Sequence, residues 1–116
     1  MQIDERRVDD IVIISVNGDI TLNQGGGVVL RDKVRSAIQQ GARKLLIDLG
    51  QVSYVDSAGL GELVQSYATT KNAGGSLKLV RITKRLKDLL TITKLVTVFD
   101  TYDSESEAVA SFSSPA

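Results

Sequence analysis

The chain has 116 residues, of which 42% are apolar, and this length suits one domain with one packed core. Its 14 Lys and Arg residues balance its 14 Asp and Glu residues, so the basic excess typical of nucleic-acid-binding proteins is missing. Cys and His are absent, which excludes disulfides and Cys/His zinc sites, and no motif for another metal or for a cofactor occurs. We expect a single domain over residues 1–116 with a frayed C-terminal end.

The first ten residues carry acids and no apolar run, which argues against a secretory signal. No stretch of the sequence reaches the about 20 apolar residues that a membrane-spanning helix needs. We therefore expect a cytoplasmic protein that contacts neither a membrane nor nucleic acid directly.

Two strands open the chain. Residues 11–16 are mostly β-branched and run into Asn17-Gly18, which predicts a strand followed by a turn. We expect residues 3–8 to pair with this strand as a hairpin, with Asp9-Asp10 at the turn.

A glycine run at residues 25–27 precedes the first predicted helix. The run lacks the Lys-Ser/Thr and the glycine spacing of phosphate-binding loops, so we interpret it as a flexible helix start. One apolar stripe defines the helix and consists of Leu30, Val34, Ala37 and Ile38. Gly41 follows, where a left-handed C-terminal cap would end the helix.

Strands and helices alternate in the rest of the chain. Residues 45–49 are almost continuously apolar, as in a strand buried on both faces, and further strands are predicted at residues 77–80 and 96–99. Three more helices are marked by Leu60, Leu63, Val64, Tyr67 and Ala68, by Leu86, Leu89 and Leu90, and by Val109 and Phe112 after a capping box of Ser104 and Glu107. The order ββαβαβαβα predicts an α/β fold, with a mixed central sheet of about five strands covered by about four helices.

The one basic cluster of the sequence comprises Arg81, Lys84, Arg85 and Lys87. Such a cluster is typical of a solvated helix face, and a contact for an acidic partner is the other interpretation.

The most specific segment joins the buried strand to the second helix and places Asp56 and Ser57 at the start of that helix. Backbone N–H groups there lack internal partners and the helix dipole favours negative charge, so a phosphate on Ser57 would meet hydrogen-bond donors. Gly59 and Gly61 keep the first turn narrow, which would let a partner surface approach closely. A simpler interpretation is that Asp and Ser are preferred N-cap residues and that any helix can start this way.

Residues 55–61, Val-Asp-Ser-Ala-Gly-Leu-Gly, resemble the signature of the anti-sigma factor antagonists, which belong to the STAS domain group together with sulphate transporter tails. The resemblance extends to residues 17–20, Asn-Gly-Asp-Ile, to the length and to the element order, so it covers nearly the whole chain as a single STAS domain. In such proteins the serine matching Ser57 is phosphorylated by a serine kinase that is also the anti-sigma factor. The unphosphorylated form binds that kinase and frees the sigma factor, and a PP2C-type phosphatase restores the serine.

This resemblance implies roles for individual residues. Ser57 would be the phosphoacceptor, and Asp56 the acid beside it. The partner-binding positions would be Asp19, Thr21, Asp56, Ser57, Gly59, Leu60 and Gly61. Family members often read Gly-x-x-Asp after the second strand, and Thr21 stands here in the place of that acid.

Two other functions are weighed against partner switching. One is a structural STAS module of a transporter or stress-signalling complex, without phosphorylation and with Ser57 as a simple cap. The other is an enzyme with Ser57 as nucleophile, which would need an adjacent base. The chain has no His and no Gly-x-Ser-x-Gly elbow, and the next Lys along the helix, Lys71, is about 21 Å away at 1.5 Å per residue. We predict no catalytic residues and no enzymatic activity.

Overall fold

The computed structural model describes residues 2–21 and 28–113. The strands are β1 (Gln2–Val8), β2 (Ile11–Asn17), β3 (Lys44–Gln51), β4 (Ser76–Val80) and β5 (Asp100–Tyr102). The helices are α1 (Val28–Gln39), α2 (Ser57–Asn72), α3 (Lys84–Ile92) and α4 (Glu105–Ser113). This order confirms the predicted ββαβαβαβα succession. The prediction for the glycine run at 25–27 lies outside the described residues, and so does the frayed end predicted at 113–116 except for Ser113, which is the last residue of α4.

The strands form one mixed sheet in the order β1-β2-β3-β4-β5. β1 and β2 pair antiparallel, with Val8 opposite Ile11, so the predicted hairpin with its turn at Asp9-Asp10 is confirmed. The other neighbouring pairs, from β2 to β5, are parallel. Between these strands a helical crossover returns the chain to the end of the sheet at which the previous strand began. The carboxyl ends of the parallel strands, and the loops that leave them, therefore lie together.

Side chains on opposite faces of the sheet enter two separate cores. Leu45, Ile47 and Leu49 of β3 belong to the larger core, which α1, α2 and α3 cover. Leu46 belongs to the smaller core, which α4 covers through Ala108. We call these the three-helix face and the α4 face. The burial of every residue from 45 to 49 confirms a strand covered on both faces.

The end of α1 is fixed by the predicted glycine. Gly41 has a φ of 102°, in the left-handed region that favours glycine. Its N–H donates to Ile38 O at 3.0 Å, and the N–H of Ala42 donates to Ala37 O at 3.0 Å. These two bonds form a Schellman motif, which satisfies carbonyls at the helix end.

The strand predicted at residues 96–99 is wrong. Residues Leu95–Thr97 form a short 3-10 helix, and the edge strand β5 begins only at Asp100. Phe99 is buried and packs edge-on against the Tyr67 ring, with centroids 5.4 Å apart. Val96 and Thr97 stay exposed and Phe99 enters the core, while pairing with β4 selects the next three residues as the strand.

Candidate functional site

Asp56 builds the N-terminus of α2. Its backbone is extended, with φ −87° and ψ −178°, and its side-chain Oδ1 accepts a hydrogen bond from the Gly59 N–H at 2.8 Å. Its carbonyl accepts the first helical bond, from the Leu60 N–H at 2.8 Å. Ser57 is the first residue of the helix and is exposed. The capping residue is therefore Asp56 and not Ser57, which contradicts the interpretation of Ser57 as a simple cap.

The loop after β2 runs alongside the loop that precedes Ser57. Ile20 forms a parallel bridge with Val55; its N–H donates to Tyr54 O at 3.0 Å, and its carbonyl accepts from the Asp56 N–H at 3.2 Å. Asp19 and Thr21 flank Ile20 and are half-buried. The structure thus brings both predicted loop residues to the segment that precedes Ser57.

The first-turn glycines of α2 have different surroundings. Gly59 is buried, and a Cβ at this position would lie 2.1 Å from the Ile20 carbonyl oxygen. Gly61 is exposed and would meet nothing within 4 Å. Gly59 is therefore required by close approach inside the chain, a requirement that the sequence did not show. Leu60 is also buried, so a role of Gly59 and Leu60 in docking stays a prediction.

A groove of about 580 Å³ opens beside Ser57. One wall is the β3–α2 loop and the other is α3; the lining residues are Tyr54, Val55, Asp56, Ser57, Lys84, Arg85, Asp88, Leu89 and Ile92. Two large apolar side chains in it are exposed, Tyr54 to 45% and Ile92 to 78%. The groove therefore combines apolar surface with charged groups, as binding sites for other molecules commonly do.

Two residues of the basic cluster, Lys84 and Arg85, line this groove, whereas Arg81 pairs with a residue of the sheet. Thr83 caps α3, its Oγ1 accepting from the Leu86 N–H at 3.3 Å, so Lys84 and Arg85 occupy the first turn of the helix. Both are exposed, and both line the groove with Ser57. Sequence reasoning singled out the cluster but missed this juxtaposition, because only tertiary packing brings α3 to the start of α2.

Arg81 joins the ends of two central strands. Its guanidinium forms a two-pronged ion pair with Asp48, with Nε 3.1 Å from Oδ1, and this carboxylate raises the pKa of Arg81. Asp48 is buried, and its Oδ1 also accepts from the Gly50 N–H at 2.9 Å. The backbone of Arg81 is left-handed, with a φ of 57°. The pair ties β4 to β3 where the loops of the site leave the sheet.

Within residues 2–21 and 28–113, three or more acidic side chains nowhere cluster in a way that could hold a metal ion. The helices of the same part of the chain are all too short or too polar to cross a membrane.

The fold and the helix start at Asp56-Ser57 define a known class of domain. The family model of the STAS domain matches residues 2–108, and the chain belongs to this family. The chain is 36% identical over 100 residues to the anti-sigma-B factor antagonist of Bacillus subtilis. The aligned region covers 86% of this chain and 89% of that protein. The chain is thus a STAS protein of the anti-sigma factor antagonist type.

Solved structures agree in fold. The crystal structure of an anti-sigma factor antagonist from Mycobacterium paratuberculosis superimposes with a TM-score of 0.82 at 21% identity, over 95% of this chain and 92% of that one. The phosphorylated form of SpoIIAA, described as a Bacillus cell fate determinant, superimposes with a TM-score of 0.75 at 18% identity, over 96% and 99% of the two chains. At these identities the likeness establishes the fold alone.

Proposed function

We propose that this protein is a partner switch whose state is set at Ser57. While Ser57 is unphosphorylated, the protein binds an anti-sigma factor that is also a serine kinase, and so frees a sigma factor. Phosphorylation of Ser57 by that kinase releases the complex, and a PP2C-type phosphatase resets it. The relationship to the Bacillus subtilis anti-sigma-B factor antagonist supports the partner class.

One observation supports Ser57 as the switch residue. Ser57 is exposed at the first position of α2, and the hydrogen bond that caps this helix is accepted by Asp56. Modifying the Ser57 hydroxyl therefore leaves the capping bond in place. The N-terminal end of a helix also tolerates added negative charge, so the phosphorylated domain should remain folded.

The proposed modification is an ordinary phosphoryl transfer. The Ser57 Oγ forms a bond to the γ-phosphorus of ATP held by the kinase, and the bond from that phosphorus to the bridging oxygen breaks. ADP leaves, and a base of the kinase takes the hydroxyl proton. The phosphatase step reverses the outcome by hydrolysis, which yields the serine hydroxyl and inorganic phosphate.

Release follows from the charge of the product. A phosphate adds roughly −1.5 to −2 charges at pH 7. A partner that covers Ser57 would have to desolvate this group next to Asp56, and burying a charge without a partner is expensive. Every about 1.4 kcal/mol lost at the interface weakens binding tenfold.

The test compares Ser57→Asp with Ser57→Ala. A histidine-kinase-fold ATPase recovered with the protein from its own cells, then purified, is titrated calorimetrically with each variant. We expect Ser57→Asp to fold normally and to bind at least about tenfold more weakly, and Ser57→Ala to bind like wild type. Ser53 is exposed in the same loop, so Ser53→Asp is the matched control and should leave the affinity unchanged.

Mass spectrometry after addition of ATP locates the phosphate. Equal affinities of the Asp and Ala variants, or a phosphate on Thr21 or Ser53, would move the function away from Ser57. Recovery of transporter subunits in place of the ATPase would favour the structural STAS module without phosphorylation.

We expect that the chain itself catalyses no reaction at Ser57. The groove brings Lys84 to the same cavity as Ser57, so a lysine is closer than the helix sequence alone indicates. A lysine activates a serine when burial favours its neutral form, and Lys84 is exposed. We expect a general serine-hydrolase probe to leave Ser57 unlabelled, and a covalent adduct on Ser57 would contradict this.

A further inference from the structure

We propose that Lys84 and Arg85 form an intramolecular clamp for the phosphate on Ser57. The inference rests on the proposed function, because it concerns the phosphorylated form of the same residue. It adds a second element, α3, to a switch that the sequence confines to the start of α2.

The groove supplies the geometry. Ser57 lies on one wall, and Lys84 and Arg85 lie on the other, so a phosphate on the serine would project into the space that the two cations border. Both cations have long, flexible stems and are exposed, so their charged groups can reorient towards a new anion.

The position of the two cations in α3 supports the same conclusion. Lys84 and Arg85 are the first two residues of a nine-residue helix whose first turn has no acid. Cations there face the positive end of the helix dipole, which is an unfavourable arrangement. An anion delivered between them would relieve it, and a phosphate is a strong acceptor for both a guanidinium and an ammonium.

The other charges of the groove leave the two cations available. Among the described residues, the basic partners of the ion pairs are Arg6, Arg31, Lys33, Lys44 and Arg81. Asp56 already accepts the capping bond of α2. Asp88 lies four residues after Lys84 and three after Arg85, so it offsets part of the charge of both cations without matching their sum.

The clamp would give release a second cause. In the unphosphorylated protein, Lys84 and Arg85 can pair with an acidic surface of the partner. Phosphorylation would supply an internal anion that occupies both cations, so the partner would lose these contacts while it also meets the phosphate.

The test introduces phosphoserine at position 57 by an expanded genetic code, so it needs no kinase. The second ionisation of the phosphate, ordinarily near a pKa of about 6, is followed by ³¹P NMR. Cations beside a phosphate favour its doubly charged form, so we expect a pKa roughly half a unit lower in the phosphorylated wild type than in phosphorylated Lys84→Gln/Arg85→Gln. Lys87 is exposed on α3 outside the groove, and Lys87→Gln is the control that should match wild type.

An equal pKa in the wild type and the double variant would overturn the clamp, as would an equal effect of Lys87→Gln. The single variants Lys84→Gln and Arg85→Gln should each lose part of the shift. The outcome is independent of the kinase: a shift without any cellular phosphorylation of Ser57 would uphold the clamp and refute the switch. Phosphorylation by the kinase without the shift would do the reverse.

Discussion

The two faces of the sheet differ in the size of their apolar cores and in the polar contacts beside them. The three-helix face is packed by buried aliphatic side chains such as Ile47, Leu63 and Leu79. On the α4 face, the cation of Lys78 lies 4.6 Å from the centre of the Phe112 ring and 2.9 Å from the Ser111 hydroxyl.

Ion pairs occur on both faces. On the three-helix face, Arg31 of α1 reaches Glu62 of α2. On the α4 face, Arg6 of β1 reaches Glu105 of α4, and Arg81 reaches Asp48, which is two residues from Leu46 and so shares its face of the sheet. The groove beside Ser57 lies at the end of the three-helix face, between α2 and α3. The surface proposed to exchange partners is thus attached to the side of the sheet that carries the larger core.

The largest effect is expected in the core of the three-helix face. Leu63 is fully buried on the three-helix face, and Leu63→Ala should lower the free energy of unfolding by about 2–5 kcal/mol. Leu46 is equally buried on the α4 face, but the half-buried Tyr102 and Phe112 beside it can relax into the space. We expect Leu46→Ala to fall near the low end of that range, as measured by urea denaturation. Equal losses would mean that the two faces are packed alike, and a melting point of Leu63→Ala within a degree of wild type would contradict the burial.

A smaller effect is expected at the start of α2. Gly59→Ala would push a methyl group against the backbone of Ile20, and it should destabilise by about 1–3 kcal/mol. Gly61→Ala is the matched control, since it meets open space and should stabilise the helix by up to about 1 kcal/mol. Thermal unfolding of the two variants should therefore shift in opposite directions. A neutral Gly59→Ala would show that the loop before Ser57 is free to move.

The Asp48–Arg81 pair should matter less than the apolar packing. Arg81→Met leaves the buried Asp48 carboxylate with the Gly50 N–H as a donor, but the Arg81 side chain is 53% exposed, so water replaces part of the lost interaction. We expect a loss of about 1 kcal/mol at pH 7 in urea denaturation. Asp48→Asn in the Arg81→Met background should then recover part of it, because the carboxylate charge is gone. A loss as large as that of Leu63→Ala would mean that the α4 face depends on charge more than on its core.

The smallest effect is expected at the exposed Asp10–Lys44 pair, whose charged atoms are 2.8 Å apart. The hydrogen bond from Lys44 holds the pKa of Asp10 below its ordinary value of 3.8. A carboxyl with a lowered pKa in the folded state contributes stability above its unfolded value, and loses it as the pH falls through the folded value. Asp10→Asn should therefore destabilise slightly at pH 7 and have no effect well below pH 3.8. Asp9→Asn, at the neighbouring turn position, should change neither measurement, and a larger effect in acid than at pH 7 would reverse the assigned sign.

Several features follow from the sequence because short-range chemistry determines them. The apolar run at 45–49 predicts a strand buried on both faces because polar side chains are almost missing from it, and Gly41 predicts the end of α1 because glycine favours the left-handed backbone found there. The signature at residues 55–61 predicts that Asp56 and Ser57 start a helix, and this is confirmed. The edge strand is the exception: β-branched residues favour a strand at 96–99, but burial of Phe99 and pairing with β4 place it at 100–102.

The tertiary structure alone decides what surrounds Ser57. Gly59 is needed because a Cβ at this position would collide with the Ile20 carbonyl. Ile20 is 39 positions away along the chain. Lys84 and Arg85 line the same groove as Ser57 because α2 and α3 follow neighbouring parallel strands. Both helices therefore begin at the same end of the sheet. Local propensity carries no information about such contacts, since they depend on how the sheet orders its strands and on which face each helix covers.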